Sequence, residues 1–178
     1  ANLFMTAFII YWLPTLLVQS GIELSTAIMS ITIMNLAGIV GGVSLSMLMG
    51  RFSPFRVLAA SYFIAALAVS QIGLLTPWVP GVFLAVFAAG FLALGGFASL
   101  SAIAATLYPT RLRSTGVGSA IAASKGGAIL GPMAAGAALA LDTPLSLVFV
   151  ICGLGGIVAC LSMLLLAFIR ARTLPAGH

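Results

Sequence analysis

The stretch YPTRLRSTGVGSAIAASKGGAILGPMAAG, Tyr108–Gly136, decides how the chain is read. Arg111 and Arg113 precede a long run of small and apolar residues that carries one cation, Lys125, and passes over Gly131-Pro132. A cation inside an apolar helix is costly and marks a contact that compensates it. At 1.5 Å rise per residue Lys125 lies roughly 17 Å from the helix start. A lysine cannot snorkel that far, so it is expected to face a cavity or a partner rather than lipid. Two readings stand side by side. Lys125 is held structurally, by carbonyls or by an acid of another domain, or it meets an anionic ligand such as a carboxylate.

The rest of the chain supplies the setting. Of its 178 residues, 62% are hydrophobic and 5% charged, against about 25% charged in soluble domains. The composition is that of an all-α, polytopic membrane protein whose main partner is the lipid bilayer. The net charge of +5 comes from Arg51, Arg56, Arg111, Arg113, Lys125, Arg170 and Arg172, set against Glu23 and Asp142. These bases sit singly or in pairs between apolar runs, which is a topology signal and does not point to nucleic acid. Cys152 and Cys160 lie in the last apolar run and read as small inert residues. The single histidine, His178, ends the chain. No metal-ligand cluster, nucleophile–base pair or phosphate-cradling loop is visible, so no enzyme activity, metal or cofactor is expected. The first apolar run lacks the flanks of a cleavable signal peptide. It starts at Ala1, so the chain is expected to be a piece of something longer.

A spanning helix needs about 20 apolar residues. Six segments meet or approach that length, at about 2–18, 25–49, 54–75, 80–107, 114–141 and 143–168, with a tail over 169–178. They form one six-helix transmembrane domain. Ser25 is expected to cap the second helix, and Ser53-Pro54 and Thr143-Pro144 read as cap-plus-proline starts. Loops with two arginines alternate with loops that have none. The positive-inside rule then puts Arg51, Arg56, Arg111, Arg113 and both termini on the cytoplasmic side. Small residues recur every fourth position at Gly38–Gly42–Ser46–Gly50, at Ser119–Ala123–Gly127–Gly131–Ala135 and at Cys152–Gly156–Cys160. Such ribbons let helix backbones approach closely, for static packing or as smooth faces for movement.

Few polar residues stand inside the runs. Asn35 is suited either to hydrogen-bonding a ligand or to joining two helices. Tyr11 and Trp12 precede Pro14 and form either an interfacial aromatic belt or a surface for a flat ligand. Ser99 and Ser101 can bond back to their own backbone.

Several of these stretches resemble one family, the major facilitator superfamily, and within it the aromatic acid/proton symporters. YWLPTLL at Tyr11–Leu17, followed by Gly21, resembles the end of the family's seventh helix, and NLAGIVGG at Asn35–Gly42 its eighth. GRFSPFRVLAA at Gly50–Ala60 resembles the basic loop before the ninth. LYPTRLRSTGVG at Leu107–Gly118 resembles the loop between helices ten and eleven, and GGAILGP at Gly126–Pro132 continues it. The chain departs from the family at Gly50, where an acid is common, at Lys125, where arginine is usual, and at Phe97 and Ala98, where polar residues are typical. Lysine keeps the charge but lacks the planar fork that grips a carboxylate at two points.

The resemblance implies the C-terminal six-helix half of a transporter in a bacterial inner membrane. That half would move small organic anions, aromatic acids in particular, by proton symport with alternating access. Lys125 would then neutralise a carboxylate, Asn35 would hydrogen-bond, and Tyr11 or Trp12 would contact the ring. Gly127, Gly131 and Pro132 would pack helices, and the four loop arginines would anchor the cytoplasmic ends. The coupling acids would lie in a missing N-terminal half. The alternatives are a structural fragment without transport of its own and a homodimeric carrier or channel.

Overall fold

The computed structural model describes residues 1–100, 113–141 and 143–173. Among them are six long helices: α1 (Asn2–Gln19), α2 (Leu24–Arg51), α3 (Pro54–Leu75), α4 (Val79–Leu100), α5 (Arg113–Ala140) and α6 (Leu145–Thr173). No strand occurs among the described residues. Five of the six are long and apolar enough to cross a membrane. The other is α5. It is ~42 Å long at its 28 residues, but alanine, glycine, serine and Lys125 dilute its apolarity.

The helix ends follow local chemistry, with three departures from the expected starts and stops. Helix α2 starts one residue early, with Glu23 at the cap and Ser25 inside the first turn, and no side chain caps it. Helix α6 starts at Leu145, where Pro144 lies just outside and accepts from the Leu147 and Val148 N–H groups. It also runs on to Thr173, into the expected tail. Arginine and alanine are good helix formers, and the Arg172 guanidinium lies 4.4 Å over the Phe168 ring, one turn back. Pro54 starts α3 after Ser53, as expected, though the serine side chain makes no cap bond. Helix α1 closes with a left-handed Gly21 at φ +86°. The Gly21 N–H donates to the Val18 carbonyl and the Ile22 N–H to the Leu17 carbonyl, a pairing that ends the helix cleanly.

The helices associate in three main pairs. Helix α3 runs antiparallel to α6, with Gly73 against Ser146, Ala66 against Gly153 and Tyr62 against Gly156. Helix α1 runs parallel to α5, with Phe4 against Gly127 and Trp12 against Gly136. Helix α2 runs parallel to α4, with Met34 against Gly90 and Gly42 against Gly95. Helix α1 also touches α6 and α2, and α3 packs on α4. The core is therefore centred on α1, α3, α4 and α6, through Met5, Phe8, Leu13, Val69, Val86 and Phe149. A smaller apolar cluster joins α3 to α6 through Leu58, Tyr62 and Cys160. Large apolar side chains remain exposed on α2 (Leu36, Ile39, Met47) and α6 (Leu154, Leu161, Leu165), as befits surfaces facing lipid or another membrane domain.

Helix α4 holds a feature with no sequence signal. Over Gly90–Leu94 it winds as a π-helix, and the Gly95 N–H donates to the Gly90 carbonyl, five residues back. Single π turns of this kind interrupt α-helices frequently at functional sites.

Candidate functional site

The expected site residues divide by depth. Phe4 lies against Gly127, and Asn2 donates through Nδ2 to the Ala93 carbonyl of α4 at 3.1 Å. Gly90, three residues before Ala93, lies against Met34 of α2. Parallel pairing then puts Lys125 level with Asn2, and Asn2 level with Ala93 and Ala37. Asn35 stands two residues from Ala37, so it lies within about 3 Å of the Lys125 level along the helix axes. The fold thus brings Asn35 and Lys125 to one depth, on α2 and α5. Tyr11 lies nine residues along α1 from Asn2, about 14 Å toward the opposite end.

Lys125 is exposed on α5. Glu23, the one acid among the described residues, caps α2 at the far end, well outside ion-pairing range of that level. Asn35 is also exposed, and its Nδ2 donates to the Ile31 carbonyl of its own helix at 2.9 Å. That bond uses one of the two amide N–H donors and leaves the other N–H and the Oδ1 acceptor for a ligand. The face beside Asn35 is shallow and apolar, formed by Gly38, Ile39, Gly42, Val43, Ser46 and Ala98.

The aromatic pair separates by role. Tyr11 is 67% exposed. Trp12 is half-buried, its indole Nε1 donates to the Pro132 carbonyl at 3.1 Å, and its ring lies over Gly136. It ties α1 to α5. A Cβ built on Gly131 would sit 2.5 Å from the Phe4 carbonyl oxygen, so only glycine allows this crossing. Gly127 is close to Phe4 as well, and Gly127, Gly131 and Pro132 form the α1-facing seam of α5.

Arg51 ends α2 as its one last-turn base, where a cation complements the exposed carbonyls. Arg56 is exposed in the first turn of α3, and its stem lines two shallow apolar grooves. Arg111 and the side chain of Arg113 lie outside the described residues, as do Ser101 and Asp142.

The α2 seam departs from the four-residue ribbon. A Cβ on Gly41 would collide with the Phe91 carbonyl, and one on Gly38 would lie 2.7 Å from Leu94 Cβ. Gly42 has only ordinary contacts, and Gly50 has no neighbour within 4 Å. The seam therefore runs Met34–Gly38–Gly41–Leu45, on the buried edge of the expected stripe. Ser99 bonds back to the Gly95 carbonyl and also reaches Gly42 and Ser46 across the seam. Sequence reasoning missed Asn2, Thr6 and Tyr62, three residues with buried polar side-chain atoms, of which Asn2 and Tyr62 flank the π turn. Asn2 sits at the chain start and the other two in strongly apolar runs, so no pattern set them apart.

Against known proteins, no family model matches the chain, and no solved structure matches it. Curated proteins do. It is 34% identical over 177 residues to a gallate transporter of Pseudomonas putida, covering 97% of this chain and 39% of that protein. It is 33% identical over 178 residues to the 3-(3-hydroxy-phenyl)propionate transporter of Escherichia coli, covering 98% of this chain and 44% of that one. With a 4-hydroxybenzoate transporter of Pseudomonas aeruginosa the identity is 32%, over 72% of this chain and 30% of that protein. The chain spans about two fifths of the length of the first two relatives.

Proposed function

We propose that this chain, a membrane-protein relative of aromatic acid transporters, forms one wall of a secondary carrier for small aromatic carboxylates. It would be the C-terminal six-helix half of a major facilitator superfamily fold, working by alternating access with proton symport. The observation that carries the reading is the pair at one depth: an exposed cation with no acid near it among the described residues, Lys125, and an exposed amide, Asn35. A charge at membrane depth persists only where it meets a cavity, a partner or a ligand, and the names of the relatives are those of carboxylate carriers.

In this reading Lys125 neutralises the carboxylate. Asn35 hydrogen-bonds a ring hydroxyl through Oδ1, one of its two N–H donors being already bonded within α2. Tyr11 lines the route on the side away from the cytoplasm, and Trp12 keeps α1 and α5 together beneath it. The missing half would supply the opposite wall and the coupling acid. Nothing in this assignment calls for covalent chemistry, which agrees with relatives that are transporters. The membrane would be a bacterial inner membrane, with Arg51, Arg56 and the C-terminal end of α6 on the cytoplasmic side.

Two measurements test the proposal in the full-length protein. Proton-driven uptake of labelled hydroxybenzoates should fall at least about tenfold in Lys125→Met and recover in part in Lys125→Arg, the loss of a charge-assisted contact being worth about 1.5–3 kcal/mol. Unchanged uptake with unchanged apparent affinity refutes the carboxylate site. Cysteines placed at Ser20 and Ser53 should react with an impermeant thiol reagent from opposite sides of the membrane. Reaction from one side only would end the topology.

A further inference from the structure

Three buried polar atoms have no hydrogen-bond partner among the described residues, Asn2 Oδ1, Thr6 Oγ1 and Tyr62 OH, and two of them belong to residues that flank the π turn of α4. Their residues are 8%, 3% and 1% exposed. Asn2 is fixed there by its Nδ2 bond to the Ala93 carbonyl inside the turn. Thr6 follows one helical turn along α1, within reach of Asn2. Tyr62 comes from α3, and its ring edge lies against Gly96, three residues beyond Ala93. Helices α1 and α3 both pack on the turn itself.

Each buried polar group left without a partner costs about 1–3 kcal/mol, and three around one turn would be a heavy concentration. A π turn widens the helix and offsets its carbonyls from their usual donors. Buried water bonds about three polar groups at such places. We propose that the α1–α3–α4 junction at Asn2, Thr6, Tyr62 and the Gly90–Leu94 turn is an internal water-binding site. The water donates to Asn2 Oδ1 or a turn carbonyl and accepts from the Thr6 and Tyr62 hydroxyls. The site is distinct from Lys125 and Asn35, which are exposed, and does not depend on what the protein transports.

The test uses the full-length protein in lipid nanodiscs. In X-ray hydroxyl-radical labelling read by mass spectrometry, radicals form from water next to the ring they modify. Tyr62 should be labelled within about threefold of the rate of Tyr11, despite its burial. A rate at least thirtyfold lower overturns the site. Thermal unfolding gives an independent reading. If water satisfies the hydroxyls, Tyr62→Phe and Thr6→Val each lower Tm by about 2–4 °C. If the pocket is dry, removing an orphaned hydroxyl leaves Tm unchanged or raises it, and the proposal fails.

Discussion

Helices α2 and α5 carry the same kind of small-residue ribbon with opposite results. On α2 the ribbon is closed. Gly38 and Gly41 meet α4 where no methyl fits, and Ser46 and Ser99 bond across the seam at 3.2 Å. On α5 only the second half is closed, from Gly127 to Ala138 against α1. In its first half Gly118 and Gly126 have nothing within 4 Å, and Ser119, Ala120, Ala122 and Ala123 are exposed. A ribbon states that a backbone can be approached. Whether it is approached depends on the neighbour. The bare half of α5 ends beside Lys125, so the costly cation borders a surface built for close contact that the described residues leave open.

Substitutions can break that comparison in order of size. Gly41→Val should be the most damaging, because its first added carbon meets the Phe91 carbonyl. Overpacking of that kind costs about 1–3 kcal/mol or more, and folded yield by size-exclusion chromatography should collapse. Gly131→Val should do the same to the α1–α5 seam. Next comes Lys125→Met, which should spare folded yield while uptake falls about tenfold. If yield and uptake fall together, Lys125 is structural. Trp12→Phe keeps most of the ring but removes the bond to Pro132, and should lower stability by about 1 kcal/mol in thermal unfolding. Gly118→Ala is smallest and of opposite sign. With open space around it and better helix propensity, alanine should raise the stability of this chain alone by up to about 1 kcal/mol. If the same change lowers uptake in the full-length protein, the bare ribbon has a partner there.

The sequence was legible where periodicity and punctuation carry the signal. Long apolar runs gave the helices, Pro54 the start of α3, and small residues the seams. It was ambiguous at Gly41, because a stripe of small residues has two edges and only the neighbour selects one. It was silent on the π turn, since Gly90–Leu94 contains no proline or polar residue to announce it. The candidate site was half legible. Lys125 stood out by charge and Asn35 as the one amide well inside its run, and the fold set them at one depth. Tyr11 and Trp12 are neighbours in sequence, but one helical step turns them to different surfaces, and only Trp12 reaches α5.

The parallel pairing of α1 with α5 also sets a schedule. The Trp12–Pro132 bond joins residues 120 positions apart. At about 5–20 residues made per second, α1 waits on the order of 6–24 s for its mate to leave the ribosome. During that interval its Phe4–Trp12 face needs a temporary shelter, in lipid or against the insertion machinery. A delay in synthesising the α5 segment would therefore be felt first by the earliest helix of the chain.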